Sequence, residues 1–153
     1  MERARHPRIL IVDDDPGELD RTLGTIRRLG LGYEARIAHG GFEALDYLLG
    51  RGRFHERRRH PLPDLILMKL AMAPLDGAAV LRRIEDLEIL SRIPVIAVCA
   101  TEDECRRVTM SGLRVESCLV KPILALSLSE LMRQFAPPRP DSLPMGYTEM
   151  RAE

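Results

Sequence analysis

No stretch of this 153-residue chain approaches the roughly 20 consecutive apolar residues that a membrane-spanning helix requires. Residues 1 to 8 are too polar for a signal peptide, so a cytoplasmic chain with no membrane partner is expected. Net charge is missing as well: 23 basic side chains are matched by 23 acidic ones. That balance gives no overall electrostatic pull toward nucleic acid or an anionic surface. The cysteines are few. Cys99, Cys105 and Cys118 are odd in number and lack metal-like spacing, which argues for inert thiols in a reducing compartment. Internal repeats are absent too. What is present is one domain's length of chain, 45% hydrophobic, which is enough for a proper core.

The chain is organised around Leu65, Ile66, Leu67 and Met68, a continuous apolar run suited to a parallel strand covered on both faces. Lys69 ends the run. Asp76 then caps a helix predicted from 78 to about 87, with Leu81 and Ile84 facing inward. Upstream, residues 8–12 form a short buried strand that runs into Asp13, Asp14 and Asp15. Asp15, Pro16 and Glu18 carry the marks of a helix start. Leu19, Leu23 and Ile26 continue that helix at helical spacing, and Gly30 stops it.

A second strand over 33–38 leads to a helix over 41–49, with Ala44, Leu45 and Leu48 on its inner stripe. Five arginines, two histidines and two prolines between 50 and 63 predict a long surface loop. Its arginine cluster is either solvated or a docking site for an acidic partner. A fourth strand covers 93–98, and Thr101 with Glu104 forms a capping box for a fourth helix. A short fifth strand at 117–120 ends at Lys121 and Pro122. Ser127 to Glu130 is read as the cap of the last helix, with Leu128, Leu131 and Phe135 inward. The segment 136–153, with four prolines, is expected to be an irregular tail, as is 1–7. Five β-α units predict an α/β, flavodoxin-like, doubly wound five-stranded parallel sheet, ordered 2-1-3-4-5.

In such a sheet ligand chemistry gathers beyond the carboxyl ends of the strands. That rim receives Asp13, Asp14, Lys69, Cys99 and Lys121. Here the residues resemble a known family. Ile9 to Asp14, Pro63 to Leu67, Asp76-Gly77, Ile93 to Ile96 and Lys121-Pro122, in this order and spacing, are similar to the receiver domain of two-component response regulators over about 8–135. The long loop before the third strand resembles the single-domain regulators that partner bacterial phytochromes.

The resemblance implies an acidic pair, Asp13 and Asp14, that holds Mg²⁺, and an aspartate at the end of the third strand that takes a phosphoryl group from a histidine kinase. It further implies a Thr or Ser at position 99 and the Lys at 121 as phosphoryl contacts, and an aromatic switch at 118. The chemical logic is that of an oxygen nucleophile beside a hard cation that offsets the charge of the transferring group. This chain departs from that pattern. The acceptor position holds Lys69, which cannot form an acyl phosphate. Position 99 holds Cys99, a poor hydrogen-bond donor, and the switch position holds Cys118, too small to rotate as an aromatic does. Cys99 and Cys118 are expected to be small core residues. Lys69 either reaches solvent or lays its ammonium against Asp13 or Asp14.

The leading expectation is therefore an atypical pseudo-receiver, with no enzymatic activity and no required cofactor, that acts through protein-protein contacts. No metal is expected, and Asp13 and Asp14 would hold Mg²⁺ if any site remains. The partner would be a histidine kinase or another signalling protein. A homodimer through the fourth helix, fifth strand and fifth helix, roughly 102–135, is also expected, because Leu124, Leu126 and Leu128 exceed what one buried stripe needs. The alternative is a phosphorylatable regulator whose acceptor carries an introduced substitution, although the changes at Cys99 and Cys118 favour natural erosion. A flavodoxin-like nucleotide binder would need a phosphate-cradling loop after the first strand, where three aspartates instead repel phosphate. A DNA-binding output is not expected.

Overall fold

The computed structural model describes residues 6–136. Five parallel strands, β1 (Arg8–Val12), β2 (Glu34–Ala38), β3 (Leu65–Lys69), β4 (Val95–Cys99) and β5 (Ser117–Val120), form one sheet in the order β2-β1-β3-β4-β5. That is the expected doubly wound order. The central strands are apolar along their length because helices cover both sides. Leu10, Val12, Ile66, Met68, Val95, Ala97 and Cys99 face one layer, and Ile9, Ile11, Leu65, Leu67, Ile96 and Val98 face the other. Each such Leu, Ile or Val withdraws enough surface to contribute about 1.5–3 kcal/mol.

The layer against Leu10 and Ile66 is built by α2 (Gly41–Leu49), α3 (Gly77–Ile84) and α5 (Glu102–Met110). The opposite layer is built by α1 (Pro16–Leu29) and α6 (Ala125–Phe135). Asp15 caps α1 by accepting from the Gly17 and Glu18 amides, and Gly30 ends it in a left-handed conformation with φ 61°. Asp76 caps α3 through the Ala79 amide, and Thr101 caps α5 through that of Glu104. α2 lies so close to the β3–α3 connection that a Cβ on Gly41 would stand 2.2 Å from the Leu75 carbonyl oxygen. Glycine there is a packing requirement.

Three local expectations are corrected. The helix predicted over 78–87 ends at Ile84, and a separate four-residue helix, α4 (Glu88–Ser91), follows. The break lets Leu90 turn into the core, where it is buried. The last helix starts at Ala125, two residues before the predicted cap, with no side-chain cap of its own. Ser127 lies inside the helix; Leu128 is buried as expected, together with Ser129 and Met132, and Leu131 and Phe135 are half-buried against the same layer. The segment 50–63 is more than a solvated loop. Phe54 is buried against Tyr47 and His60, with ring centroids 5.0 and 5.1 Å away. Arg57 donates to the carbonyls of Tyr47 (2.7 Å), Leu48 (2.6 Å) and His60 (3.0 Å), which satisfies orphan carbonyls at the end of α2.

Most of the predicted tails, 1–5 and 137–153, lies outside the described residues. Pro7 and Ala136, assigned to those tails, belong to the fold. The Pro7 carbonyl accepts from the Glu34 amide, and Ala136 is buried beside α6. Among the described residues no helix is long and apolar enough to cross a membrane.

Candidate functional site

Strand register decides which side chains meet. Val12 pairs with Met68, Lys69 with Val98, and Cys99 with Val120. Asp13, Lys69, Cys99 and Lys121 therefore reach the same edge of the sheet within two residues of level. The Lys121–Pro122 peptide is cis. Asp13 is buried, and its Oδ1 accepts from the Asp15 amide at 2.9 Å, which fixes the carboxylate as the chain turns into α1.

Two ammonium groups fill the space around this acid. Lys69 Nζ lies 3.0 Å from Asp14 Oδ1 and 3.7 Å from Asp13 Oδ1. Lys121 Nζ lies 3.3 Å from Asp13 Oδ2 and 3.4 Å from Glu18 Oε2. Three carboxylates and two ammoniums thus form one chain of contacts, from Asp14 through Lys69, Asp13 and Lys121 to Glu18. The hydrogen bond from Lys69 holds the Asp14 carboxyl below its ordinary value of 3.8, against a smaller opposing effect of burial. Burial disfavours the charge on Lys69. The Asp14 hydrogen bond and the field of Asp13, Asp14 and Asp15 outweigh it and raise Lys69 above its ordinary 10.5.

This arrangement bears on the metal that the resemblance implied. Mg²⁺ takes oxygen ligands in strict octahedral geometry and is commonly held by one or two carboxylates. Both carboxylates of the acidic pair are already salt-bridged to ammoniums, and Lys69 places a positive charge beside the oxygens such an ion would need. As they stand, the residues do not fit a divalent cation. The site opens onto a groove of about 650 Å³, with Asp14, Asp76, Arg82, Glu104 and Arg107 among its lining residues.

The remaining sequence-identified positions lie together on the flank of the rim. Cys99, the last residue of β4, is buried, and burial pushes its thiol far above the ordinary value. Cys118 on β5 is half-buried, and its thiol is also raised by burial. Sequence reasoning missed two participants. Glu18 was read only as part of a helix start, yet from the first turn of α1 its Oε2 reaches Lys121 Nζ at 3.4 Å. Cys105 is seven or more positions from another cysteine only on one side, and just six from Cys99; no metal-like spacing signalled it, yet α5 brings its sulfur to those of Cys99 and Cys118.

Comparison with known proteins agrees with this architecture. The chain is 32% identical over 129 residues to the polar-differentiation response regulator DivK of Brucella ovis, covering 83% of this chain and 94% of that one. It is 30% identical over 130 residues to the sensor histidine kinase RcsC of Salmonella typhi, covering 84% of this chain. It spans only 12% of that kinase's length. Among solved structures, the bacteriophytochrome response regulator RtBRR superposes with a TM-score of 0.77 at 29% identity, covering 85% of this chain and 78% of that one. The receiver domain of a sensor histidine kinase from Pseudomonas aeruginosa PAO1, with a magnesium ion coordinated in its active-site cleft, superposes with a TM-score of 0.69 at 26% identity, covering 86% and 98%. The family model described as "Response regulator receiver domain" matches residues 9–133, and the chain belongs to that family of two-component signalling domains.

Proposed function

We propose that this chain is a pseudo-receiver: a signalling domain in which fixed ammonium charges have replaced phosphorylation, and which works through protein-protein contact instead of catalysis. The observation that carries the reading is Lys69, at the end of β3, with its Nζ 3.0 Å from Asp14 Oδ1 and 3.7 Å from Asp13 Oδ1. At that position an aspartate would supply an oxygen nucleophile. An ammonium supplies none, and it neutralises the carboxylates that would hold the metal. Cys99, in place of a hydroxyl, offers a phosphoryl oxygen only a weak donor. The site is thereby held in one electrostatic state. Incubated with acetyl phosphate and Mg²⁺, the protein is expected to gain no phosphoryl group by intact-mass spectrometry. A hydroxylamine-sensitive phosphate on Asp13 or Asp14 would refute the reading.

The partner on this reading is a histidine kinase or another protein of the same signalling system, and the contact needs neither phosphate nor Mg²⁺. The face formed by α5, β5 and α6 supports a second copy as one such partner. Leu124 and Leu126 at the start of α6 are 64% and 79% exposed, and Met110 at the end of α5 is 85% exposed. The exposed Leu124 and Leu126, two residues apart at the start of α6, are an apolar feature of the kind that marks a contact surface. Sedimentation is expected to find a dimer at tens of micromolar, unchanged by acetyl phosphate, and a monomer after Leu126→Glu. A wild-type monomer at that concentration would exclude self-association through this face.

A further inference from the structure

Three cysteines that are scattered in the sequence converge in the fold. Cys118 lies opposite Ala97 on β4, and Cys99 lies two residues beyond Ala97. Side chains alternate along a strand, so Cys99 and Cys118 stand on the same face of the sheet. α5 covers that face and lowers Cys105, from its first turn, onto the other two. The three Sγ atoms all lie within 4.8 Å of one another. An ion with sulfur ligands at ~2.3 Å, trigonal or tetrahedral, separates those sulfurs by roughly 3.8–4.0 Å. Closing the set requires only small side-chain adjustments. Cys99 is buried while Cys105 and Cys118 are half-buried, which leaves a route in past α5.

The surroundings narrow the chemistry. Sulfur is a soft ligand, so the hard cations Mg²⁺ and Ca²⁺ do not suit this set. The neighbouring carboxylate of Glu104 is engaged with the Ala100 amide at 2.9 Å, and no His, Asp or Glu joins the three sulfurs among the described residues.

We propose that Cys99, Cys105 and Cys118 form a three-sulfur site for a soft, thiophilic ion, of the class of Cu⁺, Cd²⁺ or trivalent arsenic, that pins the first turn of α5 to β4 and β5. With a metal cation, three S–H bonds break, three metal–sulfur bonds form and three protons pass to solvent, with no change of oxidation state. With arsenite, As(OH)₃, three S–H and three As–O bonds break, three As–S bonds form and three waters leave. That complex is neutral, which suits a partly buried site. The inference does not depend on the pseudo-receiver reading, because binding requires neither kinase nor phosphate.

The test uses the full chain in a non-thiol reductant, titrated with Cd²⁺ and, separately, with arsenite. Cadmium is followed by the ultraviolet thiolate-to-metal band, and both probes are followed by the number of thiols they protect from an alkylating reagent. One equivalent bound per chain with three thiols protected is expected. Cys105→Ser, a change at a half-buried helical position that the fold tolerates, is expected to weaken binding by more than about tenfold, since one of three bonds is lost. Cys118→Ser is expected to do the same. Failure of both probes to bind, protection of two thiols or fewer, or binding unchanged in Cys105→Ser would each overturn the proposal.

Discussion

Lys69→Asp is expected to raise the Mg²⁺ affinity of the acidic pocket by at least about tenfold, equivalent to ~1.4 kcal/mol. In the wild type a divalent ion approaching Asp13 and Asp14 meets the Lys69 ammonium, 3.0 and 3.7 Å from their oxygens. Two unit charges ~4 Å apart at an effective dielectric near 20 repel by about 4 kcal/mol, and solvent reduces that figure because Lys69 is partly exposed. The substitution removes the repulsion and adds a third carboxylate to the two already placed. Lys121 remains beside Asp13 in both proteins, so the comparison isolates position 69. Phosphorylation of the variant stays slow, since Cys99 still replaces the hydroxyl. Isothermal titration calorimetry reads the difference directly. Equal, negligible heats in the two proteins would mean that Lys69 is not what closes the pocket to a metal.

How far the sequence disclosed this molecule depended on the range of the interaction involved. The strands were legible because Leu65 to Met68 and Ile9 to Val12 are buried on both faces and so cannot tolerate polar residues. The starts of α1, α3 and α5 were legible because Asp15, Asp76 and Thr101 satisfy amides only two or three residues away. The start of α6 was not, because Leu124 makes no side-chain cap and the serines that look like one sit inside the helix. Arg57 was hidden for another reason. In sequence it is one arginine among five, and only the return of the chain past α2 turns its guanidinium toward the carbonyls of Tyr47 and Leu48.

The candidate site followed the same rule. Strand order alone brings Asp13, Lys69 and Lys121 to one edge. Which oxygen meets which ammonium depends on how α1 is set by the hydrogen bond from the Asp15 amide to Asp13. Glu18 enters the site only through that orientation. Cys105 needed more still, the docking of α5 on β4 and β5, and no spacing along the chain encodes that docking.

Asp13→Asn is expected to destabilise the fold by about 1–3 kcal/mol at neutral pH, and the sign of the change matters more than its size. Asp13 is buried and carries two ammonium contacts, Lys121 at 3.3 Å and Lys69 at 3.7 Å. Asparagine keeps the acceptor for the Asp15 amide, but it sets a neutral group, with an N–H donor on one side, between two cations. Breaking a buried pair usually costs about 3–5 kcal/mol. Here each lysine retains a second carboxylate, Asp14 or Glu18, and is 26% or 21% exposed, so the cost is lower. In a pocket of carboxylates without neutralising lysines, removing one would relieve repulsion and stabilise the protein. The two situations therefore predict opposite signs. The measurement belongs where the Asp14–Lys69 pair is intact in both proteins. Asp14 is lowered from 3.8, so its contribution is present above that value and is lost as pH falls through its folded value. Lys69 is raised from 10.5, so its contribution is full below that value and is lost as pH rises through its folded value. Between those limits the pair contributes a constant amount, and urea unfolding near neutrality isolates Asp13. A variant as stable as the wild type, or more so, would show that the lysines do not neutralise this pocket.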